Sequence, residues 1–189
     1  MSRGARVAWL AVVPLVLCVF ASFPSRASDF ELLSVAVRAR FSQGKVLGQR
    51  QPESFREYDV VFTNRLPWEE PLGPGWAMGA RLLSSAGVLR SEAGETAPVV
   101  SAIPVLAFAR QDGRFTLDLG VGLALLGKPV YERQDFGGAL QFALTLGFSI
   151  PVYQRLGVGY RFMHYSDGRA YGNDAIGADF HMVELIYRF

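Results

Sequence analysis

Cysteine is nearly missing from this sequence: Cys18 is the only one among 189 residues. It falls in a leading segment with the marks of a secretory signal. Arg3 and Arg6 supply a positive start, Val7 to Phe20 an apolar stretch, and Ser25-Arg26-Ala27 a small-x-small cleavage site. Cleavage is expected after Ala27, dividing the chain into a signal peptide, residues 1–27, and a mature chain, residues 28–189. A transmembrane anchor is the competing reading, but the stretch is short and ends in a good cleavage site. A lipoprotein signal would need a small residue before the cysteine, and Leu17 stands there. The mature chain is therefore expected to hold no disulfide, no thiol nucleophile and no cysteine metal site. Net charge is also small, formally +2, which argues against a nucleic-acid partner. Beyond the signal, no apolar run approaches the ~20 residues that a transmembrane helix needs.

What the sequence does have is strand periodicity. Half of its residues are hydrophobic, 20 are glycine and 13% are aromatic. Phe115, Leu117, Leu119, Val121, Leu123 and Leu125 share one parity, and Thr116, Asp118, Gly120, Gly122 and Ala124 the other. The next segment repeats the pattern. Leu140, Phe142, Leu144, Leu146, Phe148 and Ile150 alternate with Ala139, Gln141, Ala143, Thr145, Gly147 and Ser149. Alternate side chains of a strand point to opposite faces. A soluble sandwich would put charges on its outer face. Here the second face is small and mildly polar, as the crowded inside of a narrow barrel requires.

These patterns predict an all-β, eight-stranded antiparallel outer-membrane β-barrel with a filled interior. Its strands are placed at about residues 30–41, 57–65, 76–90, 98–110, 113–127, 137–150, 153–166 and 178–189. Pro104 lies inside the fourth and should cause a bulge or bend there. An even strand count puts both termini on the periplasmic side and the longer connections outside. The segment 66–75, LPWEEPLGPG, reads as a connection too long for a tight turn and does not fit that rule.

The final hairpin carries the chemistry. Arg161 must face inward, because an unpaired charge in lipid is costly. His164 and Ser166 then fall on the lipid-facing parity with Leu156, Val158, Tyr160 and Phe162. Counting back from Phe189 puts Asp179 and His181 on the lipid-facing parity of the last strand, with Asp179 across from Ser166. A hydroxyl, an imidazole and a carboxylate thus converge near the outer boundary of the bilayer. In a triad, the imidazole takes the hydroxyl proton and the carboxylate fixes its tautomer. Taken by itself, His-x-Ser is a short pattern, and an interfacial polar pair is the plainer account. His181 reads as interfacial. Glu184, Arg161, Asp118 and Arg40 read as an inner ion-pair network.

The runs QDFGGALQFALTLGF, RLGVGYRFMHYSDG and GADF, with the terminal YRF, resemble the PagL-type lipid A 3-O-deacylases, most clearly from Gln134 onward. The resemblance implies an outer-membrane serine esterase that removes the 3-O-linked acyl chain of lipid A. Ser166 corresponds to the nucleophile and His164 to the general base. The family's acid is a Glu near the start of the last strand. Asp179 stands there, one methylene shorter, and Asp174 in the loop is the second candidate. The family usually follows the Ser with Asn, where this chain has Asp167. An acidic side chain there would repel an oxyanion, which leaves the backbone N–H groups of Asp167 or Gly168 to bind it. Asn173 matches an Asn of the family's last loop, taken to hold that loop over the site.

The chemistry requires no cofactor and no metal. The implied partners are lipid A or lipopolysaccharide of the outer leaflet and, through the terminal Phe189, the outer-membrane assembly machinery; a homodimer is left open. The competing functions are a catalytically inactive structural barrel, motivated by Asp167, and a narrow pore.

Overall fold

A computed structural model describes residues 30–42, 47, 51–172 and 175–189. The described residues form ten strands: β1 (Leu32–Ser42), β2 (Phe55–Gly73), β3 (Trp76–Ser91), β4 (Thr96–Arg110), β5 (Thr116–Leu126), β6 (Val130–Tyr131), β7 (Gln134–Asp135), β8 (Leu140–Tyr153), β9 (Leu156–Ser166) and β10 (Ala178–Arg188). Eight of them close a barrel in the order β1-β10-β9-β8-β5-β4-β3-β2. Every neighbouring pair is antiparallel, and β1 closes the ring on β10, with Ser34 opposite Arg188. Closure leaves no unpaired sheet edge. Among the described residues no helix is long and apolar enough to cross a membrane.

The expected alternation is plain in β5 and β8. Leu117, Leu119, Leu123 and Leu125 are exposed on the outer wall, while Thr116 and Asp118 are buried. Across the ladder, Leu146, Phe148 and Ile150 are exposed, and Gln141, Ala143 and Thr145 are buried.

The early connections differ from expectation. Segment 66–75 is not a loop: β2 runs on through it to Gly73. Glu69, Glu70 and Pro71 pair with Gly79, Met78 and Ala77, and the register shifts between Arg65 and Glu69 and again between Pro71 and Gly73. The prolines of this segment, which cannot donate to a ladder, sit at or beside these irregularities. The hairpin then closes through Pro74 and Gly75, whose φ of +77° suits the third position of a type II turn with proline before it. Pro104 causes no bulge. Pairing of β4 to β5 lapses over Ile103 and Pro104 and resumes in the same register, while the ladder to β3 is continuous.

Inside, the barrel has layers. At the end away from the termini, Phe55, Tyr131 and Phe136 form an aromatic cluster, with Tyr165 and Phe180 packed beside it. Tyr165 donates to Glu57 Oε1 at 2.9 Å. Further in lies a band of buried charge. Arg161 donates from Nε to Glu184 Oε1 at 2.6 Å and from Nη1 to Asp118 Oδ1 at 2.6 Å. Arg38 forks onto Asp59 and approaches Glu184 at 3.9 Å. The expected Arg161–Glu184–Asp118 network is there. Arg38 and Asp59 join it, whereas Arg40 instead donates to the Phe55 carbonyl and lies over the Phe180 ring. Toward the termini the interior opens into a cavity of about 240 Å³.

Candidate functional site

The β9–β10 ladder sets Asp179 directly across from His164 and not, as the sequence count suggested, from Ser166. Both belong to the outward parity, since their neighbours Met163, Tyr165, Phe180 and Ala178 are buried in the interior. His164 Nδ1 and Asp179 Oδ1 are 2.6 Å apart. A carboxylate can only accept, so the proton of this bond sits on Nδ1, which makes Nε2 the nitrogen able to take a further proton. The missing methylene relative to Glu therefore does not prevent contact.

Ser166 lies two positions further along β9 on the same face, a rise of about 7 Å. Across from β9, Leu144 faces His164 and Phe142 faces Ser166, so the wall beside the pair is apolar. Both His164 and Ser166 are half-buried. Among the described residues the ring is tied to Asp179 and not to Ser166 Oγ. Catalytic hydrogen bonds are commonly long in a substrate-free enzyme and tighten around the substrate.

Asp179 is on the outward face yet only 5% exposed, and Leu47 and Gln51, from between β1 and β2, bond to it. The Leu47 N–H donates to Asp179 Oδ2 at 2.8 Å, and the Asp179 N–H donates to Gln51 Oε1 at 3.2 Å. Each carboxylate oxygen thus has a donor of its own, and charge-assisted bonds of this kind are the stronger ones. Leu47 and Gln51 are absent from the residues singled out in the sequence. Leu47 lies 132 positions from Asp179, and no local pattern announces such a contact.

The loop after Ser166 is built by Asp167. Its Oδ1 accepts from the Arg169 N–H at 3.0 Å and its Oδ2 from the Tyr171 N–H at 3.2 Å. Gly168 and Arg169 both have positive φ, at 60° and 71°. A Cβ on Gly168 would stand 2.8 Å from the Phe142 ring. The Asp167 carboxylate is thereby committed to its own turn.

The far side of the loop is pinned by β6 and β7. Gln134 Nε2 donates to the carbonyls of Ile176 and Gly177, at 3.1 and 3.2 Å, and the Ile176 N–H donates to Asp135 O at 2.8 Å. Gly177 is consequently pressed against the site. A Cβ there would be 2.5 Å from Tyr165 O, 3.2 Å from His164 Cε1 and 3.5 Å from Ser166 Cβ. Tyr171 fills the space left by Gly137 and Gly138. Asn173 and Asp174 lie outside the described residues, as does the expected signal, residues 1–27.

His181 sits apart from this group, among aromatics. Its Nδ1 is 2.6 Å from Tyr160 Oη, and its ring packs on Phe162 at 5.4 Å. Among the described residues no cluster of His, Cys, Asp and Glu could hold a metal ion.

The family model described as lipid A 3-O-deacylase (PagL) matches residues 56–188. Among solved structures, the chain is similar to a crystal structure of the outer-membrane enzyme PagL. The TM-score is 0.65 at 13% identity, covering 82% of this chain and 99% of that one. It is also similar to the backbone structure of the Yersinia pestis outer-membrane protein Ail in a phospholipid bilayer nanodisc, with TM-score 0.45, 11% identity and coverage of 83% and 99%. No curated protein matches. The family match spans most of the barrel and takes in the whole β9–β10 hairpin, and on that ground the chain belongs to the lipid A 3-O-deacylase (PagL) family of outer-membrane β-barrel hydrolases.

Proposed function

We propose that the chain is a serine carboxylic-ester hydrolase that removes the 3-O-linked acyl chain of lipid A. The observation that carries this reading is the His164 Nδ1–Asp179 Oδ1 bond of 2.6 Å on the outward face, with Ser166 two positions along the same strand. Ser166 Oγ attacks the ester carbonyl while His164 Nε2 takes its proton. Asp179 holds the tautomer and stabilises the imidazolium that forms. Backbone N–H groups of Asp167 or Gly168 bind the oxyanion, in keeping with an Asp167 side chain already occupied by its own turn. His164 returns the proton to the sugar oxygen as the C–O bond breaks. Water, activated by the same imidazole, then releases the 3-hydroxy acid from Ser166.

The site faces the bilayer, so lipid A reaches it sideways within its own leaflet and does not pass through the barrel. This orientation puts the β9–β10 loop at the cell surface and the Leu32 end of β1 and the Arg188 end of β10 on the periplasmic side. Arg169 in that loop is a suitable partner for a lipid A phosphate.

The test is Ser166→Ala in cells that make the lipid A substrate. Mass spectrometry of extracted lipid A should show the 3-O-acyl loss with the wild type and none with the variant. Heat-dependent gel mobility should show an equally folded barrel. Undiminished deacylation by the variant would remove Ser166 from the mechanism.

A further inference from the structure

The cavity of about 240 Å³ near the termini has no part in the chemistry above. It lies inside the barrel, separated from the outward site by the wall and by the band of buried charge. The inward parity of the strands places Arg65, Arg81 and Arg188 around it, and Ser34, Thr63 and Ser149 add hydroxyls. Asp118 and Glu184 are the acidic side chains of the lining, and both are engaged. Arg161 takes both oxygens of Asp118, at 2.6 and 3.1 Å, and Glu184 Oε1 at 2.6 Å.

Arg81 is the unusual member. It stands directly opposite Arg65 in the β2–β3 ladder, and like charges so placed repel. Arg65 is compensated by Glu31 at 3.0 Å and Glu69 at 2.7 Å. Arg188 donates to the Gly113 carbonyl at 2.8 Å. Arg81 is drawn toward Asp118 and Glu69 and repelled by Arg65 and Arg188, yet those two acids are already bonded to Arg161 and Arg65. A half-buried guanidinium that shares the lining of a cavity of about 240 Å³ with two others is a poor choice for stability alone. It suits a site whose counter-charge arrives from solution. Guanidinium groups match oxyanions by geometry as well as by charge.

We infer that this cavity binds a small multivalent oxyanion of the phosphate class, held by Arg81 together with Arg65 and Arg188. The mouth is open at that end, since the Arg65 side chain is 41% exposed.

The experiment uses the full barrel folded in detergent micelles. Inorganic phosphate is titrated calorimetrically at constant ionic strength, with chloride as the control anion. Saturable phosphate binding is expected for the wild type. Arg81→Gln should weaken it about tenfold or more, the scale of one hydrogen bond to a charged group. The variant should keep wild-type lipid A deacylation, and in chloride it should unfold no earlier than wild type, because a repulsion has been removed. Arg65→Gln provides a second variant expected to weaken phosphate binding. A parallel arm places the barrel in nanodiscs with and without phosphatidic acid. Thermal stabilisation by that lipid, lost in Arg81→Gln, would assign the site to a headgroup; stabilisation by free phosphate alone would assign it to a soluble anion. The inference is overturned if phosphate behaves as chloride does and phosphatidic acid has no effect, or if Arg81→Gln binds phosphate as tightly as the wild type.

Discussion

Asp179 lies directly across the β9–β10 ladder from His164, and its Oδ1 is 2.6 Å from the imidazole Nδ1. Direct cross-strand partners on one face stand close enough for short side chains to meet. The aspartate side chain is therefore long enough to reach the ring.

This relationship predicts an ordered series at position 179. Asp179→Asn keeps the shape but loses the charge and presents an amide N–H to the ring, which favours the wrong tautomer. The turnover of lipid A should fall by up to about 10,000-fold. Asp179→Glu keeps the charge but pushes an extra methylene against the Leu47 N–H contact, so its activity should fall between those of Asn and the wild type. Single-turnover deacylation of purified lipid A in micelles gives the ranking. If Asp179→Asn were as active as the wild type, Asp179 would have no part in the mechanism.

Gly177 predicts a purely geometric defect. A methyl group there meets Tyr165 O at 2.5 Å, and His164 Cε1 and Ser166 Cβ just beyond. Something has to move, and displacements of an ångström can cost about a hundredfold in rate. Gly177→Ala should lower kcat by roughly ten- to a hundredfold, while the barrel still migrates as folded on an unheated gel. Unchanged kcat would show that the loop yields without disturbing the pair.

How much of this was readable beforehand depends on whether a feature belongs to one strand or to the closed ring. Leu117, Leu119, Leu123 and Leu125 advertise a lipid-facing wall by period alone, and His164, Ser166 and Asp179 take their faces from the same count. The extension of β2 to Gly73 was hidden because the prolines of that segment look like strand breakers, while the structure absorbs them at shifts of register. The hold of Leu47 and Gln51 on Asp179, the grip of Gln134 on Gly177 and the joining of Arg38 to Glu184 exist only once distant segments meet around the barrel. No spacing rule reaches that far.

The buried charges predict a stability defect without a catalytic one. Arg161→Met leaves Asp118 and Glu184 without their shared guanidinium. Removing one partner of a buried ion pair costs about 3–5 kcal/mol, because the remaining charge stays desolvated. The denaturant midpoint of the barrel in micelles should fall accordingly, with normal activity per folded molecule. Adding Asp118→Asn and Glu184→Gln should recover part of the loss, since the uncompensated charges are gone. A single variant as stable as wild type would mean that the network contributes little.

The outer wall predicts a dependence on depth. Leu119 near the middle of β5 and Leu125 near its end are each 50% exposed on the outward face. Their surroundings in a soluble protein would be alike, and arginine would be tolerated equally at both. In a bilayer they differ: a lipid-facing arginine costs about 2–4 kcal/mol at the midplane and about 0–1 near the interface. Leu119→Arg should therefore destabilise the barrel in lipid vesicles by the larger amount and Leu125→Arg by the smaller. Reversible unfolding of both variants in vesicles measures the difference. Equal costs would mean that β5 does not cross the bilayer at the depth its alternation implies. The outward placement of His164 and Ser166 relative to lipid would then lose its footing, because the same wall carries them.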